Sequence, residues 1–374
     1  VDFGNVGGGG REAGADGPDR LVGDDRVCGG CAVRHGAQEL TADDVESLRR
    51  FEQAMLAAEI DSSPAKRPEW LDGFVQRAFA DVPHYRALGL PPRRFEDIPT
   101  IDRGHLAADV ARFVPDSVPL DRLINFRTTG TTGQPLLIAS HPVVAGSYLA
   151  FHKRALRRFG VQLRHGRDQV GVVLLGHQRK CFTYVSVTPL MDESGLAKIN
   201  LHPDDWRDPD DRWRYLDALD AEVYAGDPIS FAALLALPLA SRPRALVSVS
   251  MALAPALRAQ LEERFQCPVL DVYSLNEVGP VAVFDPQVGG HVLLQPRLLV
   301  EVLDAEGRAV AAGERGEITV TGGFNFCLPQ TAQHVIHAFT RAGALKARTE
   351  RTGLRFKPSH VFFPEKAAQD GVHV

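Results

Sequence analysis

The sequence predicts an α/β protein, with a parallel sheet covered by helices and a β-rich subdomain beyond it. Three observations predict this. Across residues 222–273, short apolar runs alternate with helical patterns of about ten residues, and such βαβαβ order demands parallel strands joined by helical crossovers. After residue 281 the pattern turns all-β, with runs at 281–284, 291–294, 299–303 and 317–321 separated by Gly, Pro and Asp-Ala-Glu-Gly turns. The 374 residues are 44% hydrophobic, enough to bury a substantial core in more than one compact domain.

Residues 1–40 are expected to be a disordered segment. The first 36 hold eleven glycines and almost no large apolar side chains, so burial cannot offset the entropy of ordering them. Cys28-Gly-Gly-Cys31 with His35 has the spacing of half a zinc site, but no second pair supplies the remaining ligands, and ordinary thiols are expected. Five cysteines in a long chain fit reduced thiols. Val1 in the place of methionine suggests a fragment or an unusual start codon.

The net charge of −5, from 47 acidic and 42 basic residues, offers no strong field for nucleic acid or an anionic membrane surface. A small-molecule partner is expected. No apolar run approaches a bilayer's thickness and no signal pattern opens the chain, so a cytoplasmic location is expected.

From Thr41 the pattern is helical. Thr41 and Asp44 make an N-cap, and Val45, Leu48, Phe51, Met55, Leu56 and Ile60 recur at helical spacing. Trp70, Phe74, Val75 and Phe79 mark a second helix. A strand at 123–126 then leads into Arg127-Thr128-Thr129-Gly130-Thr131-Thr132-Gly133-Gln134-Pro135. Four threonine hydroxyls and two glycines in six residues let the backbone wrap a polyanion with N–H and O–H donors. No Gly-Lys-Ser/Thr follows, so this is not the common P-loop.

Residues 143–159 read as a helix whose Lys153, Arg154, Arg157 and Arg158 form a basic face, solvated by default, with phosphate steering as the alternative. A strand at 169–175 ends at His177. The βαβαβ region then places strands at 222–225, 245–250 and 268–273 and helices at 228–237 and 255–265, with Asp227 capping a helix that starts on Pro228. Tyr273, Asn276 and Glu277 fall where the last strand ends, the side of an open α/β sheet on which ligands bind.

Two motifs carry a resemblance to a family. The stretch from Thr128 to Pro135 resembles the Thr/Ser-Ser-Gly-Thr-Thr-Gly-x-Pro signature of adenylate-forming ligases, with Thr129 in place of serine. Val272-Tyr273-Ser274-Leu275-Asn276-Glu277 resembles their Tyr-Gly-x-Thr/Ser-Glu motif, roughly 140 residues later. Pro83-His84-Tyr85-Arg86, Ile98-Pro99-Thr100-Ile101-Asp102 and Ala225-Gly226-Asp227-Pro228 are similar to segments of the phenylacetate-CoA ligase branch.

The resemblance implies a large N-terminal adenylate-forming domain, activation of an aryl or acyl carboxylic acid with ATP and Mg²⁺, and transfer to coenzyme A. Thr128, Thr129, Gly130, Thr131, Thr132 and Gly133 would cradle the phosphates. Tyr273 would pack near adenine, with Ser274 beside it in place of the motif glycine, and Asn276 would donate to the α-phosphate. Glu277, facing a triphosphate, requires a divalent cation between them, so Thr131 and Glu277 are the expected catalytic residues and Glu277 the metal ligand. Gly313-Glu314-Arg315-Gly316-Glu317-Ile318 resembles a structural Gly-Glu-x-Gly-Glu-Leu segment. The loop around residues 283–285 offers no cysteine, so no zinc is expected.

The resemblance covers roughly residues 42–329, giving a core domain at 41–329 and an atypical basic tail at 330–374. The tail carries seven Lys/Arg against three Asp/Glu, and no Arg-Tyr-Arg-Thr-Gly-Asp segment follows Pro329. Lys346, Lys357 and Lys366 lack the context of the family's catalytic lysine. A truncated or frameshifted end, a missing C-terminal domain and impaired adenylation are expected. The alternatives are a non-catalytic ATP-binding protein and the product of an interrupted ligase gene. Residues 172–188 and 248–253 are expected to wall the acid pocket.

Overall fold

The structure, a computed structural model, describes residues 40–60, 67–128, 136–179, 183–311, 316–327, 334–335, 345–350 and 353–358. The expected disordered segment at 1–39, Cys28, Cys31 and His35, and most of the tail lie outside the described residues.

The chain opens with helix α1 (Ala42–Ala57), then α2 (Leu71–Asp81), α3 (Pro83–Arg86), strand β1 (Ile101–Asp102) and α4 (Arg103–Ala108). A hairpin of β2 (Ile124–Thr128) and β3 (Leu136–Ser140) leads into α5 (Pro142–Arg158). Next come β4 (Val170–Gly176), β5 (Tyr184–Thr188), β6 (Ser194–Asn200) and α6 (Asp211–Leu219). The alternating stretch is β7 (Val223–Gly226), α7 (Pro228–Leu235), β8 (Ala245–Ser248), α8 (Pro255–Phe265) and β9 (Val269–Leu275). The strands β10 (Gly279–Asp285), β11 (Gly290–Leu293), β12 (Leu298–Leu303) and β13 (Glu317–Gly322) follow, then β14 (His334–Val335), β15 (Leu345–Glu350) and β16 (Gly353–Pro358).

One ten-stranded sheet organises the molecule, in the order β15-β16-β11-β10-β9-β8-β7-β4-β6-β5. Its centre is parallel: β6, β4, β7, β8 and β9 run together. The predicted parallel βαβαβ unit is therefore present, with α8 beginning and ending at the expected residues. Asp227 caps α7 through Oδ1, which accepts from the Ser230 N–H at 2.7 Å, with Pro228 at the first helical position. Thr41 and Asp44 form the predicted reciprocal capping box on α1.

Alternation along the parallel strands feeds two cores, as strands covered on both faces require. Val172 and Leu174 of β4 join Val223, Val247, Leu270 and Val272 against Phe151 and Leu156 of α5. Val173 and Leu175 turn to the opposite face, where Tyr224, Leu246 and Val269 meet Leu216, Phe231, Leu234 and Phe265. A third cluster packs α2, Tyr85 and Leu106 against Leu136 and Ile138 of the hairpin, fixing β3 from outside the main sheet.

On the basic face of α5, Arg157 and Arg158 are exposed, as the default reading expects, whereas Lys153 and Arg154 are half-buried and bonded to protein acceptors, which corrects that expectation for these two. Lys153 Nζ donates to Glu52 at 2.8 Å and to the Leu190 carbonyl at 2.7 Å. Arg154 donates to the Met55 carbonyl and, at 2.6 Å, to that of Ala58. Arg158 Nε donates to Asp285 Oδ2 at 2.7 Å. Arg154 thus supplies donors to the end of α1, whose last carbonyls lack intrahelical partners. Among the described residues no helix is long and apolar enough to cross a membrane.

Candidate functional site

Thr128 closes β2 opposite Leu136, the first residue of β3, so the threonine-rich stretch connects the two strands of this hairpin. Thr129, Gly130, Thr131, Thr132 and Gly133 lie outside the described residues. The second motif is described throughout. Strand β9 runs to Leu275, two residues past the expected end, because Ser274 and Leu275 pair with Pro280 and Gly279 of β10. Tyr273 and Ser274 therefore belong to the strand, while Asn276 and Glu277 occupy the tight turn after it, at the carboxyl end of the parallel strands.

Glu277 is only 4% exposed, so it is not a surface loop acid. Tyr273, Ser274 and Asn276 are half-buried around it. Two tyrosines register its charge. Burial first, and then the Glu277 carboxylate, push up the phenol of Tyr273. The phenol of Tyr148 on α5 is raised by the same two causes in the same order, and then by Cys327. A carboxylate this enclosed is costly unless a cation or donors face it.

Three side chains hold the turn that carries Glu277. Tyr148 lies flat against Gly279, whose φ of +79° suits glycine. Gln295, fully buried, donates from Nε2 to the carbonyls of Val278 at 2.7 Å and Pro280 at 2.8 Å. Asn325 donates from Nδ2 to the Glu277 carbonyl at 3.1 Å and to the Ala139 carbonyl of β3 at 3.3 Å. The hairpin and the Glu277 turn thus share one hydrogen-bonding partner. Ala139 stands three residues from Leu136, roughly 10 Å along the strand at about 3.3 Å per residue.

Sequence reasoning missed Tyr148, Gln295 and Asn325. Each carries an ordinary side chain in an ordinary local context, and its role is set by partners far along the chain. Among the described residues no three carboxylate, imidazole or thiol groups converge as a metal cage. Glu277 offers a single carboxylate, which suits an ion that takes its other oxygens from a phosphate ligand and water.

The pocket expectation is narrowed by the fold. Val172, Val173, Leu174 and Leu175 are committed to the two cores, so only the ends of the strands can face a ligand. His177 follows β4 as predicted and lies beside His202, with ring centroids 5.1 Å apart. Buried Asn200 joins the two loops, accepting from the N–H groups of Gln178 and His202 and donating to the Gln178 carbonyl and Asp205. Ser250, beyond β8, has a φ of +70°.

Asp271 on β9 yields a prediction. Burial lifts its carboxyl from 3.8 to about 6, against the lowering pull of Arg258 and of a hydrogen bond from the Leu253 backbone. The folded state thus binds this proton more tightly than the unfolded chain. The resulting stability is fully present below pH 3.8 and is lost as pH rises through about 6. Asp271→Asn is expected to raise unfolding free energy at pH 7.5 by on the order of 2 kcal/mol, the gain vanishing near pH 3. Denaturant melts of both proteins across that range check it; an equal gain at all pH values would contradict the burial argument.

The family model described as AMP-binding enzyme matches residues 128–326, which runs from the last residue of β2 to the segment that carries Asn325. An open conformation of 2-hydroxyisobutyryl-CoA ligase, solved with 2-HIB-AMP and CoA, is 17% identical, with a TM-score of 0.55 over 87% of this chain and 74% of that one. The same ligase in its thioesterification state is 18% identical, with a TM-score of 0.54 over 87% and 72%. At this identity the likeness establishes the fold. No curated protein matches the chain. The matched span, 199 of 374 residues, contains both sequence motifs and the residues that join them, and the chain belongs to the AMP-binding enzyme family, the adenylate-forming ligases.

Proposed function

We propose that the protein activates a small carboxylic acid with ATP, giving an acyl-adenylate and pyrophosphate, and passes the acyl group to coenzyme A. The observation that supports this reading best is the convergence of the β2–β3 hairpin and the Glu277 turn on Asn325, although they are separated by roughly 140 residues. A phosphate-cradling loop and an acid for its cation belong together in such a site.

In the first step a carboxylate oxygen of the substrate attacks the α-phosphorus, a new P–O bond forms, and the α–β bridging bond breaks to release pyrophosphate. Positioning and charge neutralisation carry this reaction, and no protein nucleophile is needed. The backbone and hydroxyl donors of Thr128, Thr129, Gly130, Thr131, Thr132 and Gly133 hold the β- and γ-phosphates. Tyr273 packs near the adenine with Ser274 beside it, and Asn276 donates to the α-phosphate. Glu277 would hold Mg²⁺, which when bound would supply positive charge to neutralise the phosphates. The nearby ligase fold, captured with an acyl-AMP and CoA, supports coenzyme A as the acceptor here. The Pro83–Arg86 and Ala225–Asp227 segments favour the phenylacetate-CoA ligase branch, and a cytoplasmic location fits the cofactors.

Pyrophosphate exchange with a panel of aryl and fatty acids tests the reading. Mg²⁺-dependent exchange with at least one acid is expected. Its rate is expected to be low, because no Arg-Tyr-Arg-Thr-Gly-Asp segment grips the ribose in this sequence; one lost stabilising group costs on the order of a hundredfold. ATP binding without exchange for any acid would favour the non-catalytic alternative. Unaltered ATP binding in a Thr131→Ala/Glu277→Ala double variant would refute the site itself.

A further inference from the structure

We propose that Asn325 is a positioning residue that sets the distance between the phosphate-holding hairpin and the metal-holding Glu277. The inference rests on the ligase reading above and goes beyond it, because Asn325 is not among the residues assigned there to nucleotide or metal, and its amide is taken up by backbone groups. Its amide is 4% exposed and fully employed. Nδ2 spends its two protons on the carbonyls of Ala139 and Glu277, residues 186 and 48 positions earlier, and Oδ1 accepts from the Cys327 N–H at 3.2 Å.

This geometry requires an amide. Two buried carbonyls from separate elements face one nitrogen, and only a group with two donors on a short arm satisfies both. A carboxylate would present oxygen to oxygen, and an alanine would leave both acceptors unmet. Neither bond lies inside a regular ladder, so neither is needed to build the sheet. Their shared effect is to tie β3, which continues from the threonine-rich stretch, to the turn that aims Glu277. The platform beneath is rigid: Phe324 packs against Phe51 and Phe151, with centroids at 4.9 and 5.7 Å, and Phe326 lies 5.1 Å from the His141 ring. The amide is thus held at both ends of its own segment and transmits the position of one half of the site to the other.

The test compares ATP binding with Mg²⁺ and with EDTA in the full chain. If Asn325 sets the spacing between phosphate donors and metal acid, Asn325→Asp weakens ATP·Mg²⁺ binding by about tenfold or more. Metal-free ATP binding changes much less, so the Mg²⁺-dependent increment is what disappears. A residue that only supports the fold would lower both affinities together. Combined with Glu277→Gln, the loss should be smaller than the sum of the single effects, since both variants disable the same metal contact. Should Asn325→Asp fail to fold, Asn325→Gln keeps both donors on an arm one methylene longer and is expected to shrink the same increment. A wild-type increment in either folded variant overturns the proposal, as does failure of both to fold. If the wild type binds no ATP under any condition, the ligase reading falls and takes this inference with it; normal wild-type binding with an unchanged variant increment overturns the inference alone.

Discussion

Glu277→Gln is expected to reduce Mg²⁺-dependent pyrophosphate exchange by on the order of a hundredfold or more, the scale of removing one charge-stabilising group from such a site. Glutamine keeps the shape of the side chain and removes only its charge, so the fold should persist. The phenols of Tyr148 and Tyr273 provide an internal check. Burial is the larger cause of raising both, with the Glu277 charge second, so both phenols should stay un-ionised in the folded variant up to the pH at which it unfolds. A folded variant that exchanges pyrophosphate at the wild-type rate would mean that Glu277 is buried for a reason other than the metal.

The legible parts of this protein were those whose cause is local. Asp227 and Pro228 announce a helix start because an Asx cap and a fixed proline φ act within one turn, and the helix begins there. The strands at 223–226 and 245–248 were readable because burial on both faces makes each a short, mostly apolar run, and that at 269–275 because Val269, Leu270 and Val272 begin it, although Asp271 and Ser274 interrupt the pattern. Strand β5 was not read, since Tyr184-Val185-Ser186-Val187-Thr188 sits at the sheet edge and alternates half-buried with exposed positions. Its pattern is weaker than that of a core strand.

The same distinction separates what was and was not legible at the site. Motif spacing singled out Glu277 and the threonine-rich stretch as candidates, but the residues that hold the Glu277 turn were invisible. Lys153 and Arg154 looked like part of a solvated stripe because their acceptors, on α1 and at Leu190, come from segments that only tertiary structure brings near. Gln295 and Asn325 went unnoticed for the same reason. Their partners are backbone carbonyls, which carry no sequence signal at all.

The second large effect belongs to Gly279, where two constraints meet. An L residue at φ +79° is strained, at a cost of about 1–2 kcal/mol. A Cβ there would also lie 2.6 Å from Cδ1 and 2.8 Å from Cζ of Tyr148, and closer still to Cε1. Tyr148 cannot withdraw easily, being packed within the core formed by α5 and the parallel strands, and overpacking of this kind costs about 1–3 kcal/mol. Gly279→Ala is therefore expected to lose roughly 3–4 kcal/mol of unfolding free energy in denaturant melts. Tyr148→Phe alone should be near neutral, because its hydroxyl is buried without a hydrogen-bond partner among the described residues. Tyr148→Ala should cost about 3–5 kcal/mol through the cavity it leaves. In the double variant Gly279→Ala/Tyr148→Ala the steric part is relieved and only the backbone strain remains, so the combined loss should fall well short of the sum. Strict additivity would show that the ring and the glycine are not in contact. The same substitution should also depress ATP·Mg²⁺ binding in whatever fraction remains folded, because Gly279 lies two residues from Glu277 and the turn can accommodate a methyl group only by moving the acid.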